Sequence, residues 1–151
     1  MTNDSTQPIV RITRTFRAPA EHVFDAWLDP SRLGRFLFAT PGGRMVRVEV
    51  EPREGGRFLV MERRGEEDAA HYGTYLEIER PGRLVFSFAT DPDEPPSRVT
   101  VQLRPHAAGC ELTLTHELTP VWAGYEESAS QGWTMILDAL RPAVEEEPAR
   151  G

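Results

Sequence analysis

Several short stretches of the chain alternate hydrophobic and polar residues with the two-residue period of a β-strand. Segments containing glycine and proline, which favour turns, separate most of these stretches. The pattern predicts strands at residues 9–16, 45–51, 57–64, 71–79, 84–90, 98–104 and 110–118. The last six follow one another closely along the chain, which is typical of a meandering antiparallel sheet.

Helical periodicity occurs in two regions of the sequence. Residues 18–30 carry an apolar stripe at helical spacing, and Asp29 followed by Pro30 predicts the start of a second short helix that reaches about Arg35. Near the C-terminus, apolar residues recur at steps of three and four. This pattern predicts a longer amphipathic helix that begins at Thr119–Pro120 and ends at Pro142.

The order of these elements indicates how they pack. A helix with a wide apolar stripe must bury it, and the concave face of a bent sheet is the surface available. The sequence therefore predicts an α+β helix-grip fold, in which a curved antiparallel sheet wraps around a long C-terminal helix and two short helices follow the first strand. Such a sheet does not have to close against its helix everywhere, which leaves room for an internal cavity.

Composition narrows the range of partners. The chain has 151 residues and a formal net charge of −7, which argues against binding to nucleic-acid phosphates. All 17 basic residues are arginine, as expected for a GC-rich bacterial genome. Cys110 is the single cysteine, so a reducing compartment fits. Because no secretion signal and no apolar run of transmembrane length is found, we expect a cytoplasmic protein without membrane association.

One strand carries an unexpected residue. The stretch "ELTLTHEL" at 111–118 places His116 on the same face as Leu112, Leu114 and Leu118. Three interpretations are open: a core histidine held by hydrogen bonds, a polar contact in an otherwise apolar pocket, or a general base. The sequence shows no partner or substrate for the third role.

Four stretches together resemble a START-like (SRPBCC) domain. The nearest branch is the family of homologues of the activator of heat-shock protein 90 ATPase, grouped with bacterial polyketide-cyclase-like proteins. The stretches are "FRAPAEHVFDAWLDPSRL" at 16–33, "PREGGRF" at 52–58, "ERPGRLVFSF" at 79–88, and "LTLTHEL" at 112–118 followed by "GWTMIL" at 132–137.

The resemblance implies one START-like domain at 9–144, with flexible tails at 1–8 and 145–151. Proteins of this kind bind hydrophobic small molecules, cyclise polyketides or modulate chaperones, and the fold alone does not choose among these activities. This chain departs from many relatives after the second short helix, where Phe36–Leu37 stands in place of a tryptophan.

Aromatic and apolar side chains that should face the gripped helix are the candidate ligand contacts. They are Phe36, Phe58, Tyr75, Phe86, Phe88, Leu114, His116, Trp122, Trp133 and Leu137. No pair of histidines or cysteines has metal-ligand spacing, and the Gly-Gly pairs match no phosphate-binding loop. We therefore predict no metal site and no cofactor, and we assign no catalytic residue.

Three functional hypotheses follow in order of preference. The first is non-catalytic binding of a hydrophobic or aromatic small molecule between the sheet and the C-terminal helix. The second is a polyketide cyclase-like or hydrolytic enzyme that uses His116 as its acid–base group. The third is an interaction module similar to a chaperone ATPase activator, with a protein partner that the sequence does not identify.

Overall fold

The structure is a computed structural model that describes residues 8–37, 42–90, 93, 95–119 and 124–145. Its elements follow the predicted order of one strand, two short helices, six strands and one long helix. They are β1 (Ile9–Phe16), α1 (Ala20–Ala26), α2 (Pro30–Phe36), β2 (Arg44–Val50), β3 (Arg57–Arg64), β4 (Glu67–Glu79), β5 (Arg83–Ala89), β6 (Ser97–His106), β7 (Gly109–Glu117) and α3 (Glu126–Glu145).

The seven strands form one antiparallel sheet in the order β1-β7-β6-β5-β4-β3-β2. Strands β2 to β7 therefore form a meander. Strand β1 pairs with β7 and is the edge strand on that side of the sheet. Helix α3 lies against one face of this curved sheet. The predicted α+β helix-grip fold is confirmed.

The buried side chains of α3 and those of the facing sheet rows form the core. On the helix they are Trp133, Ile136, Leu137, Leu140, Ala143 and Val144. Across from them, Leu114 of β7 is the register partner of Val101 in β6 and of Ile12 in β1. Each large apolar side chain buried in this way stabilises the fold by roughly 1.5–3 kcal/mol.

Helix α2 begins where the sequence predicts. Asp29 caps α2, because its Oδ1 accepts hydrogen bonds from the backbone N–H of Ser31 at 3.0 Å and from its hydroxyl at 2.9 Å. Pro30 occupies the first helical position, where its missing N–H costs nothing. This cap turns the chain so that Trp27 and Phe36 face each other, with ring centroids 5.1 Å apart.

Helix α3 differs from its prediction at both ends. It begins at Glu126 rather than at Thr119–Pro120, and residues 120–123 lie outside the described part of the chain. The prediction that Pro142 ends the helix is wrong, because α3 continues to Glu145. Burial of Ala143 and Val144 holds this last turn in place despite the hydrogen bond that proline removes.

Polar contacts also fix the last turn of α3. Glu145, which the sequence assigned to the flexible tail, accepts hydrogen bonds from the Arg17 backbone N–H at 2.7 Å and from Arg141 Nη1 at 2.9 Å. Arg141 Nη1 also donates to the Thr15 carbonyl at 3.0 Å. The C-terminal end of α3 is thus tied to the end of β1.

Strand β4 starts four residues earlier than predicted. Arg63 of β3 is the register partner of Asp68 and forms an ion pair with it, so the polar segment continues the hairpin and does not form a wide turn. Farther along β4, Gly73 lies beneath Phe58, and a Cβ there would come within 2.1 Å of the phenyl ring. Only glycine fits this close approach.

In the part of the chain that the structure describes, no helix is both long and apolar enough to cross a membrane.

Candidate functional site

His116 is buried at the interface between the sheet and α3, with 3% of its surface exposed. Its Nδ1 lies 2.9 Å from Trp133 Nε1 on α3, and its Nε2 lies 2.8 Å from Ser97 Oγ at the start of β6. The register places Ser97 opposite Phe88 and His116 opposite Val99, so all the side chains involved share the concave face. Both ring nitrogens therefore have partners.

These contacts determine where the proton of the imidazole ring lies. An indole nitrogen can only donate, so Trp133 Nε1–H donates to His116 Nδ1, which must be unprotonated. The proton is then on Nε2, which donates to Ser97 Oγ. The Ser97 hydroxyl in turn points its hydrogen toward the Phe88 carbonyl oxygen, 3.4 Å away. We call this chain from Trp133 to the Phe88 carbonyl the His116 network.

Burial keeps His116 neutral. Loss of solvation lowers its pKa from 6.5 to about 4. A proton added to Nδ1 would also face the N–H of Trp133 instead of a lone pair. The first interpretation from the sequence, a core histidine held by hydrogen bonds, therefore describes its bonding.

The network nevertheless borders a cavity. A space of about 270 Å³ opens where the sheet and the beginning of α3 diverge. Its described lining residues are Phe88, Ala89, Thr90, Ser97, His116, Leu118, Tyr125, Ser128 and Ala129. None of the residues from 124 to 132 is buried, and Trp133 is the first buried residue of α3. The first turns of α3 thus form a wall of this space, which we call the α3 cavity.

The α3 cavity adjoins one of two groups of aromatic rings. Phe88 lies between the two imidazoles, with its ring centroid 5.2 Å from that of His116 and 6.4 Å from that of His71. Trp133 meets Phe88 edge to face, at a centroid distance of 6.1 Å. These rings give the inner end of the cavity a rigid aromatic wall.

The second group of rings fills the opposite part of the core. We call it the closed cluster; its members are Trp27, Phe36, Phe58, Tyr75 and Phe86. Phe58 contacts both Tyr75 and Phe86 at centroid distances of 5.4 Å. All five side chains are at most 3% exposed. The rings occupy this region by packing against each other.

Two polar atoms of the closed cluster are buried without a hydrogen bond. Among the described residues, neither Trp27 Nε1 nor the Tyr75 hydroxyl has a partner. Burial also raises the pKa of the Tyr75 hydroxyl well above its usual value. A buried donor without a partner costs about 1–3 kcal/mol, so these groups are an energetic weakness of the cluster.

Glu62 and His71 are buried polar residues that the sequence analysis did not select. Glu62 is 1% exposed, and its Oε1 accepts a hydrogen bond from Arg64 Nε at 2.6 Å. Burial and the charge of Arg64 lower the pKa of His71 to about 4, while Glu62 and the Val60 backbone oppose this shift. Glu62 follows Phe58 and Val60 in one strand row, so the reasoning that selected His116 would also have selected it.

The ten predicted ligand residues fall into different regions. Phe88 and His116 line the α3 cavity, and Trp133 supports it from behind through the His116 network. Phe36, Phe58, Tyr75 and Phe86 belong to the closed cluster. Leu114 and Leu137 are buried in the core between sheet and helix. Trp122 lies outside the described residues. The structure adds Ser97, Leu118, Tyr125 and Ala129, which were not among the predicted ligand residues.

A second depression lies on the convex side of the sheet. It has a volume of about 600 Å³, and its lining includes Arg57, Tyr72, Thr74 and Ser87. The register places these residues on the strand positions that alternate with Phe58, Gly73 and Phe88. This depression therefore lies mainly across the sheet from the α3 cavity, and Ala89 at the end of β5 contributes to the lining of both.

The described residues include no group of three or more histidine, cysteine or acidic side chains that could hold a metal ion. Cys110 is buried, and burial raises the pKa of its thiol. This lowers the thiolate fraction and with it the reactivity of the side chain.

The sequence of the chain matches a known protein family. A sequence model of the family described as "Activator of Hsp90 ATPase homolog 1-like protein" matches residues 17–145. The chain belongs to this family. The resemblance inferred from the four sequence stretches is confirmed. Among curated proteins, none matches the chain.

Solved structures of similar proteins show the same architecture. A protein from Chromobacterium violaceum is 26% identical with a TM-score of 0.79, covering 93% of this chain and 99% of its own. An AHSA1-like protein from Aeromonas hydrophila is 25% identical with a TM-score of 0.78, covering 95% and 98%. CalU16 from Micromonospora echinospora is 28% identical with a TM-score of 0.66, covering 90% and 74%.

Lowering the pH from 7.5 to 5 is expected to destabilise this family member through its two buried histidines. Both have a pKa of about 4 in the folded state, whereas a histidine in an unfolded chain titrates near ~6.5. In this window the unfolded state binds protons that the folded state does not. Each histidine should therefore lower the free energy of unfolding by about 2 kcal/mol at pH 5. Urea unfolding at the two pH values measures this loss.

Substitutions show how much of the loss in unfolding free energy each of the two histidines causes. His116→Gln and His71→Gln should each remove about half of the pH dependence, and the double variant should remove most of it. A wild-type free energy of unfolding that is equal at pH 7.5 and pH 5 would contradict the buried, neutral state of both residues.

Removing the Tyr75 hydroxyl is expected to stabilise the protein or leave it unchanged. Tyr75→Phe eliminates a buried group without a partner and keeps the ring contacts, so the free energy of unfolding should change by 0 to about +1 kcal/mol. Tyr72→Phe, on the opposite face of β4, is the matched control and should stay within about ±0.5 kcal/mol. A loss above about 1 kcal/mol for Tyr75→Phe would mean that this hydroxyl is bonded, to a water molecule or to a ligand.

Proposed function

We propose that this protein binds a hydrophobic or aromatic small molecule in the α3 cavity and catalyses no reaction on it. The fold of the family suggests ligand binding or cyclase-like activity, and the arrangement around His116 favours the first. The observation that carries the proposal is a mostly apolar space bordered by a polar network in which both ring nitrogens of His116 are already hydrogen-bonded.

The walls of the α3 cavity have the character of a ligand site. Phe88, Leu118 and Ala129 supply apolar surface, while Ser97 and His116 supply polar groups at fixed positions. Small-molecule sites typically combine a mostly apolar lining with a few such groups that orient the ligand. Because the His116 network holds these side chains in place before binding, little ordering entropy is lost when the ligand enters.

The same network argues against acid–base catalysis. A general base needs an available lone pair and a pKa close to the working pH. The Nδ1 lone pair of His116 accepts a hydrogen bond from Trp133, and the pKa of the ring is about 4. The described lining of the cavity also contains no carboxylate that could act as a second catalytic group. The enzyme hypothesis would require His116 to give up the hydrogen bond that its Nδ1 accepts from Trp133.

The chaperone-activator hypothesis is supported by the name of the family. The large apolar side chains that are exposed include Ile9 on β1, Leu76 on β4 and Met135 on α3, which lie on separate elements. We therefore rank this hypothesis below ligand binding. We propose a cytoplasmic bacterial protein whose partner is a small molecule and not a nucleic acid or a membrane, in keeping with the net charge of −7 and the single buried cysteine.

A titration followed by NMR tests the proposal. Naphthalene, an uncharged hydrocarbon probe, should give saturable shifts of the Trp133 indole N–H signal, because that group is bonded to the residue that lines the cavity. Ala129→Phe should abolish these shifts, since Ala129 lines the cavity and a phenyl ring there would fill it.

Gln131→Phe is the matched control, because residue 131 is exposed on α3 and is not among the lining residues. It adds the same apolar ring to the same helix and should leave the titration unchanged. Shifts that persist in Ala129→Phe, or a wild-type titration that never saturates, would contradict binding in the α3 cavity.

A further inference from the structure

We infer that the ligand of the α3 cavity is an uncharged aromatic molecule of about two fused rings that donates a hydrogen bond to Ser97. This inference rests on the proposed function and specifies the chemical class of the ligand. Three properties of the cavity support it: its volume, the charge of its surroundings, and the hydrogen-bonding state of Ser97.

The volume sets the size of the ligand. The cavity measures about 270 Å³. An engineered apolar cavity of roughly 150 Å³ in an unrelated protein binds benzene, so a space nearly twice as large matches two fused rings. Sites for drug-sized molecules have volumes of about 300–1,000 Å³. The α3 cavity opens to solvent, so it encloses about two fused rings, and a molecule of four fused rings would extend out of it.

The charges around the cavity select against anions. None of its described lining residues is charged at neutral pH, because His116 is neutral. Arg98 follows Ser97 in β6 but points to the opposite face of the sheet, where it lies 3.6 Å from Glu77 and 3.9 Å from Glu117. A carboxylate in the cavity would lose its hydration without gaining a cation, which is costly.

Nearby acidic residues add to this selection. Glu126 and Glu127 form the first turn of α3, directly between the lining residues Tyr125 and Ser128. Their negative charges lie on the helix that forms the cavity wall. They would repel the head group of a fatty acid or an aromatic carboxylate.

The hydrogen bonds of Ser97 determine whether the ligand donates or accepts at this position. Its hydroxyl hydrogen points to the Phe88 carbonyl, and one oxygen lone pair accepts from His116 Nε2. A hydroxyl oxygen has two lone pairs, and the second has no partner among the described residues. The imidazole offers no further polar atom, since both of its nitrogens are engaged. The inner wall thus presents a hydrogen-bond acceptor, and the complementary ligand carries an O–H or N–H donor.

Four matched probes test this inference on the wild-type protein: 2-naphthol, 2-methoxynaphthalene, naphthalene and 2-naphthoate. Dissociation constants from NMR titrations at pH 7.5 should show that 2-naphthol binds about fivefold more tightly than 2-methoxynaphthalene, the ratio that one net hydrogen bond gives. The affinity of 2-naphthol should exceed that of naphthalene by a similar factor. The 2-naphthoate anion should bind at least tenfold more weakly than 2-naphthol.

Replacing Ser97 tests whether its hydroxyl causes the preference for 2-naphthol. Ser97→Ala should reduce the ratio of 2-naphthol to naphthalene affinity to about one, while Ser87→Ala, the same change on the convex side of the adjacent strand β5, should leave the ratio unchanged. If Ser97→Ala does not fold, because His116 Nε2–H loses its acceptor, the wild-type comparison still decides.

The outcomes separate this inference from the proposed function. Equal binding of 2-naphthol and naphthalene, or tightest binding of 2-naphthoate, would overturn the inference and leave hydrophobic binding in place. Failure of all four probes to bind would overturn both.

Discussion

One imidazole ring joins the sheet to the long helix. His116 accepts from Trp133 of α3 and donates to Ser97 of β6, at 2.9 and 2.8 Å. These two bonds satisfy every polar atom of a ring that is otherwise surrounded by apolar side chains, and so they make its burial tolerable. They also fix the ring in one tautomer, and burial lowers its pKa and keeps it neutral. The polar link lies where the packed core ends and the α3 cavity begins.

The two ends of α3 differ because of this arrangement. Toward the C-terminus, Leu137 and Leu140 pack into the core, and the Arg141–Glu145 pair ties the last turn to β1. Toward the N-terminus of α3, none of the residues from 126 to 132 is buried. The sheet therefore grips only the second part of the helix, and the remaining space is available to a ligand. The closed cluster shows the alternative outcome, in which five aromatic rings fill the available space themselves.

Local patterns in the sequence predicted most of the fold. Alternation located all seven strands, and Asp29–Pro30 located the start of α2, because these signals act over a few neighbouring residues. Pro142 was misjudged because packing of Ala143 and Val144 overrides a local preference. The early start of β4 was missed because the ion pair between Arg63 and Asp68 depends on register.

The site was less predictable than the fold. His116 stood out as a polar residue in an apolar row, and the same test applied to Glu62 would have found a second buried polar group. Ser97 could not have been selected, since its role comes from a neighbour 19 positions away in sequence. Many of the predicted ligand residues were apolar, and the sequence does not distinguish a ring that lines a cavity from one that fills the core.

The ¹⁵N chemical shifts of the His116 ring nitrogens report directly on its protonation state. We expect a neutral ring with its proton on Nε2 and an unprotonated Nδ1, unchanged between pH 7.5 and pH 5. A ring protonated at Nδ1, or a doubly protonated ring at pH 6, would contradict this expectation, because Trp133 could then no longer donate to Nδ1 and His116 would be available for acid–base chemistry.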